Sequence, residues 1–240
     1  MTFFSIATGG FDGGLTGLAV SLGAQGALQS YSQEFEHEAD QVGLELIAEA
    51  GYNTEQVVAM WELVKAEKEA DPESEKRNVF WRSHPPTQER IKRLKDQSAA
   101  LQKTQVRQLP MEGRQFEDVY NRHWHKWAEN LVAITSPDEA QVVLKRLQLG
   151  GRDEHEVAFF MGESFRRHGT EEDLAKAREN YLKAAQMKPA PLKTYKHLAL
   201  VERRLGHNSL ALQYFETYLE QNPDASDEKL VRVYMKQLGN

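Results

Sequence analysis

The 240-residue chain contains no cysteine, which excludes disulfides and zinc sites built from thiolates. A cysteine-free protein is compatible with an oxidising or a reducing compartment, so this absence does not decide localisation. The chain also lacks a run of 18 apolar residues, the length that a membrane-spanning helix needs. Its first residues lack the basic start and continuous apolar stretch of a signal peptide. We therefore expect either a cytoplasmic protein or a piece of a longer chain.

An excess of positive charge is absent as well. The chain has 30 Lys and Arg residues against 36 Asp and Glu residues, in mixed order, and its net charge is -6. Binding to a phosphate backbone requires clustered positive charge, so we do not expect a nucleic-acid partner. The length suffices for two modest domains, each with its own core.

The sequence HExxH, which places two zinc-ligating histidines one helical turn apart, is also missing. The two His-Glu dipeptides begin at His37 and His155. Neither dipeptide continues into HExxH, because the position of the second histidine holds glutamine at 41 and phenylalanine at 159. Composition and local motifs therefore provide no complete catalytic metal site.

The first half of the sequence predicts consecutive helices. Residues 14–30 combine helical spacing with many small residues, which predicts close helix packing, with contact at the membrane periphery as the alternative. A helix over about residues 31–50 has an apolar stripe and ends at Gly51, and Asn53-Thr54 begins the next helix, to about residue 68. Residues 69–82 are charged and predict a loop, and SHPPTQERIKRL opens another helix with its prolines in the first turn.

The second half carries an internal repeat, which predicts stacked pairs of helices. Four residues of one segment recur 34 positions later: Ala177, Tyr181, Ala184 and Pro189 correspond to Ala211, Phe215, Tyr218 and Pro223. This period and pattern resemble the tetratricopeptide repeat. Residues 114–148 predict a degenerate first helix pair, and SDEKLVRVYMKQL predicts a terminal helix. We expect an all-α protein with a first domain at 1–98, a linker at 99–113 and a repeat domain at 114–240.

The acidic segment EFEHEAD in the first half is the candidate for metal chemistry. In a helix, Glu36 and Asp40 are four residues apart and share one face, whereas His37 and Glu38 point elsewhere. One metal ion could use Glu36, with Asp40 behind it. The alternative is that the segment is a solvated helix face.

The run YSQEFEHEADQVGLELIAEAGY, followed some thirty residues later by RSHPPTQERIKRL, resembles the C-terminal part of the catalytic domain of CAAX-prenyl-protease-like zinc metallopeptidases. Bacterial BepA-like members of that gluzincin family join such a domain to C-terminal tetratricopeptide repeats, and this chain has the same order. The resemblance implies that Glu36, in an ExxAD motif, is the third zinc ligand. It implies that Asp40 accepts a hydrogen bond from a ligating histidine. His84 would lie near the metal cleft, in a regulatory or oxyanion-binding role, and Arg90 follows at the family's spacing.

The sequence departs from that family in one decisive respect. The two histidine ligands and the water-activating glutamate of the family lie upstream, in an HExxH helix that this sequence does not contain. One carboxylate ligand cannot hold a catalytic zinc ion. We therefore expect the C-terminal fragment of a zinc metalloendopeptidase, inactive and without zinc by itself, with zinc in the full-length parent. The alternative is a non-enzymatic interaction or scaffold protein.

The resemblance also implies a place in the cell. It suggests protein quality control in the bacterial cell envelope, with a periplasmic location, and a cytoplasmic location is the alternative. We expect the repeats to bind a protein or peptide in their groove. If helices that would cover the Glu36 face are missing, we expect residues 1–40 to rearrange, to extend, or to pair with another copy of the chain, which would bury Leu15, Leu18 and Leu22.

Overall fold

The computed structural model describes residues 34–73, 84–103, 114–186 and 190–239. The regular secondary structure of these residues is entirely helical, which confirms the all-α prediction. The predicted helix over residues 14–30 and most of the predicted loop over residues 69–82 lie outside the described part of the chain. No helix of the described residues is long and apolar enough to cross a bilayer.

Ten helices follow one another in the described residues. They are α1 (34–49), α2 (Glu55–Ala70), α3 (Gln88–Gln102), α4 (Arg114–Ile134), α5 (Pro137–Leu149), α6 (Glu154–His168), α7 (Glu171–Gln186), α8 (Thr194–Arg204), α9 (Asn208–Gln221) and α10 (Glu228–Leu238). From α4 onward, a short connection joins each helix to the next one, an arrangement that is consistent with a solenoid.

The chain forms two compact units, one comprising Met1–Glu62 with His84–Met111 and the other Leu63–Ser83 with Glu112–Asn240. Helix α2 contributes residues to both units. Helix α3 continues to Gln102, beyond the predicted end of the first domain at position 98. The predicted domain boundaries stay a prediction.

In the first unit, helix α1 ends where the sequence predicts. Gly51 has a φ of 85°, a left-handed conformation that glycine adopts without strain, and the Tyr52 amide donates to the Ile47 carbonyl at 3.0 Å. The orientation of the helix differs from the predicted apolar stripe, because Phe35, Val42 and Leu46 are each about half exposed. Leu44 is buried instead, and the partly buried side of α1 carries two carboxylates of the acidic segment.

Side-chain caps are found at the N-termini of α2 and α3. The Asn53 carboxamide oxygen accepts from the Glu55 amide at 2.9 Å, and the Thr87 hydroxyl accepts from the Arg90 amide at 3.1 Å. The prolines of the SHPPT segment thus precede α3 rather than occupying its first turn. The hydroxyl groups of buried Thr54 and Ser98 form a hydrogen bond, with their oxygens 2.6 Å apart. This bond links the residue before α2 to the last turns of α3.

In the second unit, consecutive helices pack on each other: α6 on α7, α7 on α8, α8 on α9 and α9 on α10. The described residues that the 34-residue repeat matches are buried in both pairs: Ala177, Tyr181 and Ala184 in α7, and Ala211, Phe215 and Tyr218 in α9. The aromatic residues among them, Tyr181, Phe215 and Tyr218, therefore belong to the core. Helices α4 and α5 form the pair predicted over 114–148, and α10 is the predicted terminal helix.

Helices α6 and α7 are in close contact at Gly162. A Cβ atom at this position would lie 2.8 Å from the Cε1 atom of Tyr181, whose side chain is completely buried. The ring has no free space into which to move, because it is packed among the buried residues of a hydrophobic cluster. Glycine at this position therefore lets the two helices meet.

A buried polar network also joins α6, α7 and α8. The carboxylate of Glu163 contacts the guanidinium of Arg166, with Nη2 at 2.7 Å, and accepts from the hydroxyl of Tyr181. Nδ1 of His197 contacts the same carboxylate, and its ring stacks on Phe159 with centroids 5.5 Å apart. Burial acts to raise the pKa of Glu163, but the hydrogen bonds from His197 and Arg166 outweigh it and hold that pKa well below 4.5. Burial lowers the pKa of His197.

We expect Gly162→Ala to destabilise the protein by about 1 to 3 kcal/mol, because the added methyl group overlaps a ring that cannot move freely. The measurement is chemical unfolding followed by circular dichroism. Gly43→Ala is the control, since a Cβ atom at position 43 of α1 meets no atom within 4 Å. That change should be neutral or stabilising through helix propensity. Equal stability of the two variants would contradict the close-packing interpretation.

We expect the free energy of unfolding to fall as the pH is lowered. The unfolded chain binds protons more readily than the folded one at both groups, so stability is lost below pH 6.5 through His197 and further below pH 4.5 through Glu163. Urea unfolding at a series of pH values measures this loss. Glu163→Gln should lose less stability below pH 4.5 than the unaltered protein.

The control for the acid dependence is Glu172→Gln, which removes an exposed carboxylate that forms only a surface ion pair with Lys176. Its loss of stability at low pH should match that of the unaltered protein. An unchanged acid dependence in Glu163→Gln would mean that the network does not contribute to it.

Candidate functional site

The four residues that the resemblance identifies converge in the first unit, although they come from segments about fifty residues apart. Helix α1 supplies Glu36 and Asp40, the segment before α3 supplies His84, and the first turn of α3 supplies Arg90. Their one-turn spacing places both carboxylates on the same side of α1. The expectation that Glu36 and Asp40 share a face is thus realised in the structure.

Arg90 is the centre of this polar cluster. Its Nε and Nη2 atoms donate to the two oxygens of Asp40 at 2.8 and 2.7 Å, and its Nη1 atom lies 2.8 Å from Oε2 of Glu36. Its Cζ atom lies 3.9 Å from the centroid of the Trp61 ring, in a cation–π contact. Arg90 is only 6% exposed, so these contacts form largely out of water, where charge-assisted bidentate pairing is strong.

His84 occupies the opposite side of the Glu36 carboxylate. Its Nδ1 atom contacts Oε1 of Glu36, and its side chain is 42% exposed. Because Thr87 caps helix α3, His84 is not the capping residue. The histidine thus lies at the accessible edge of a cluster whose arginine is buried.

The described residues do not fit a complete zinc site. Both oxygens of Glu36 are engaged, one by His84 and one by Arg90, and both oxygens of Asp40 are engaged by Arg90. Within the described ranges, no group of three or more histidine, aspartate or glutamate side chains could hold a metal ion. Asp40 pairs with an arginine here, whereas the resemblance implied a histidine as its partner.

The cluster separates the acidic segment into two kinds of residue. Glu34 and Glu38 are exposed, as a solvated helix face would be, while Glu36 and Asp40 are partly buried beside Arg90. In the sequence, Arg90 is connected with the site only by the family's spacing, and Trp61 is not connected with it. The spacing after His84 indicated Arg90, but no local sequence pattern indicated that the Trp61 ring would lie under its guanidinium group.

The comparison with known proteins identifies the same segment. Residues 6–98 match the family model of peptidase family M48, a zinc-dependent family. This match includes Glu36, Asp40, His84 and Arg90 and supports a fragment of a metallopeptidase of that family. Neither the curated proteins nor the solved structures provide a significant match.

We expect Arg90→Met to destabilise the first unit by about 3 kcal/mol, because it leaves two partly buried carboxylates without their common cation. Thermal or urea unfolding measures the change. Arg93→Met is the matched control on the same helix, since Arg93 forms a surface pair with exposed Glu89 at 3.2 Å and its loss should cost less than about 0.5 kcal/mol. Similar costs for the two variants would show that the cluster does not stabilise the fold.

Proposed function

We propose that the first unit is the C-terminal part of the catalytic domain of a BepA-like zinc-dependent metalloendopeptidase. The observation that carries this proposal is the convergence of Glu36, Asp40, His84 and Arg90 within the segment that matches peptidase family M48. In a solvated acidic helix, the carboxylates would be expected to point into water. Here two of them point toward a buried arginine from a distant segment of the sequence. The geometry thus favours a built polar site.

In peptidases of this kind, zinc supplies an activated water molecule for attack on the peptide bond. Glu36 is the residue that would contribute a carboxylate ligand to the parent enzyme, and Arg90 would fix the position of that carboxylate. For Glu36 to bind zinc, at least one of its oxygens must exchange His84 or Arg90 for the metal. We propose that the chain by itself does not hydrolyse peptides, because its sequence contains no HExxH.

We further propose that the helix pairs of the second unit are tetratricopeptide repeats that bind a protein or peptide. The 34-residue spacing of buried positions in α7 and α9 supports this proposal. The same domain order suggests a role in protein quality control in the bacterial cell envelope, in the periplasm. The half-exposed Phe35, Val42 and Leu46 of α1 support pairing of two copies of the chain.

A non-enzymatic scaffold is the second candidate function. It is favoured by one observation, that Arg90 and His84 already engage both oxygens of Glu36. In that case the polar cluster would only stabilise the first unit, and the helix pairs would perform the binding. The two candidates differ in whether Glu36 ever binds metal.

The deciding experiment combines this chain with the HExxH-bearing N-terminal half of an M48 peptidase. We expect the mixture, but not the chain alone, to bind one equivalent of zinc and to hydrolyse casein, since the missing histidine ligands are then supplied. Glu36→Gln in this chain should abolish both properties. Elemental analysis and a casein assay are the measurements.

Glu38→Gln is the matched control, because Glu38 lies two residues from Glu36 and is exposed. It should leave zinc content and hydrolysis unchanged. Zinc binding that does not depend on Glu36 would contradict the peptidase proposal and favour the scaffold. One tight equivalent of zinc in the isolated chain, lost in Glu36→Ala, would contradict the proposed inactivity of the fragment.

A further inference from the structure

The second unit contains a preformed pocket of about 390 Å³. It lies between α4, the N-terminal half of α6 and the non-helical segment 190–193 that precedes α8. This volume is within the range of pockets that enclose a ligand or a large side chain. The pocket shares no residue with the cluster around Arg90.

The floor of the pocket is apolar and held in place by the core. Phe159 and Phe160 line it with their rings 5.4 Å apart at the centroids, and Phe160 packs edge-on against buried Trp124 at 5.7 Å. Leu192 forms part of the wall and is 73% exposed. A large apolar side chain with this exposure gains free energy when a partner covers it.

The charged residues at the pocket are mainly acidic. Glu129 of α4 and Glu156 of α6 line it together with one ammonium group, that of Lys193. Outside the lining, the exposed Lys126 lies 3.7 Å from Oε2 of Glu129, a surface ion pair that contributes little. His125 also lines the pocket, and its Nε2 atom lies 2.8 Å from Oε1 of Glu156, which fixes that carboxylate beside the aromatic floor. An apolar group entering the pocket therefore meets carboxylates next to it, an arrangement that favours a ligand with positive charge beside its apolar part.

We propose that this pocket binds an apolar or aromatic side chain of a polypeptide segment whose neighbouring residues are lysine or arginine. The apolar floor would enclose the side chain, and Glu129 and Glu156 would pair with the flanking cations. This inference rests on the proposed role of the helix pairs in binding a partner. It assigns that role to a defined site and a defined peptide chemistry.

The test uses three peptides and the full chain: acetyl-Gly-Lys-Phe-Lys-Gly-amide, a version with glutamate in place of lysine, and a version with glycine in place of phenylalanine. Isothermal titration calorimetry measures each dissociation constant. We expect the first peptide to bind about tenfold more tightly than either of the others, since each replacement removes one of the two interactions. Equal binding of the peptide without phenylalanine would show attraction of charge alone and overturn the proposal.

Two pairs of variants locate the site. Leu192→Ser should weaken binding of the lysine–phenylalanine peptide about tenfold, whereas Leu149→Ser, at an 89% exposed leucine outside the pocket, should not. Glu129→Lys should weaken that peptide and strengthen the glutamate version, whereas Glu179→Lys, at an exposed position of α7, should change neither. Equal effects of a variant and its control would place the binding elsewhere and overturn the proposal.

Circular dichroism of all four variants verifies that they are folded. The peptide titration and the zinc experiment test separate proposals, so that either proposal can fail while the other holds. If Glu36-dependent hydrolysis is found but no peptide binds, only the pocket inference is wrong. If the peptide binds in the pocket but zinc binding does not depend on Glu36, the peptidase proposal fails and the pocket stands.

Discussion

The polar cluster of the first unit depends on one guanidinium group, that of Arg90. It binds both oxygens of Asp40 and one oxygen of Glu36 while lying on the ring of Trp61. Without this cation, turning two carboxylates of α1 toward the interior would be unfavourable, because partly buried charges require a partner. Arg90 thus connects the orientation of α1 with the start of α3, and the capping hydroxyl of Thr87 fixes the backbone from which it extends.

The same cluster determines how the Glu36 carboxylate is oriented and which groups it contacts. Glu36 is held between His84 and Arg90, so its carboxylate is oriented but occupied. A metal ion that arrived with its other ligands would compete with these contacts, and the exposed His84 would be the easier of the two to displace. The structure therefore presents a positioned carboxylate with a contact at each of its oxygens.

The second unit is organised by a different constraint, the need to fit large and small residues between paired helices. Gly162 admits the ring of Tyr181, and the buried carboxylate of Glu163 contacts the partly buried side chains of Arg166 and His197 beside it. This interior holds the aromatic rings of Phe159 and Phe160 in fixed positions, where they also form the floor of a pocket. The same two aromatic residues thus belong to the core and line the pocket.

The sequence was sufficient for predicting the helical class, the end of α1 at Gly51 and the 34-residue repeat, since these follow from periodicity and from local backbone preferences. It also identified Glu36, Asp40 and His84, through their resemblance to a metallopeptidase segment. The choice of which face of α1 turns inward, with its carboxylates partly buried and Phe35, Val42 and Leu46 half exposed, is visible only in the folded protein. That choice depends on a cation about fifty residues away, and no local pattern encodes a pairing between distant segments.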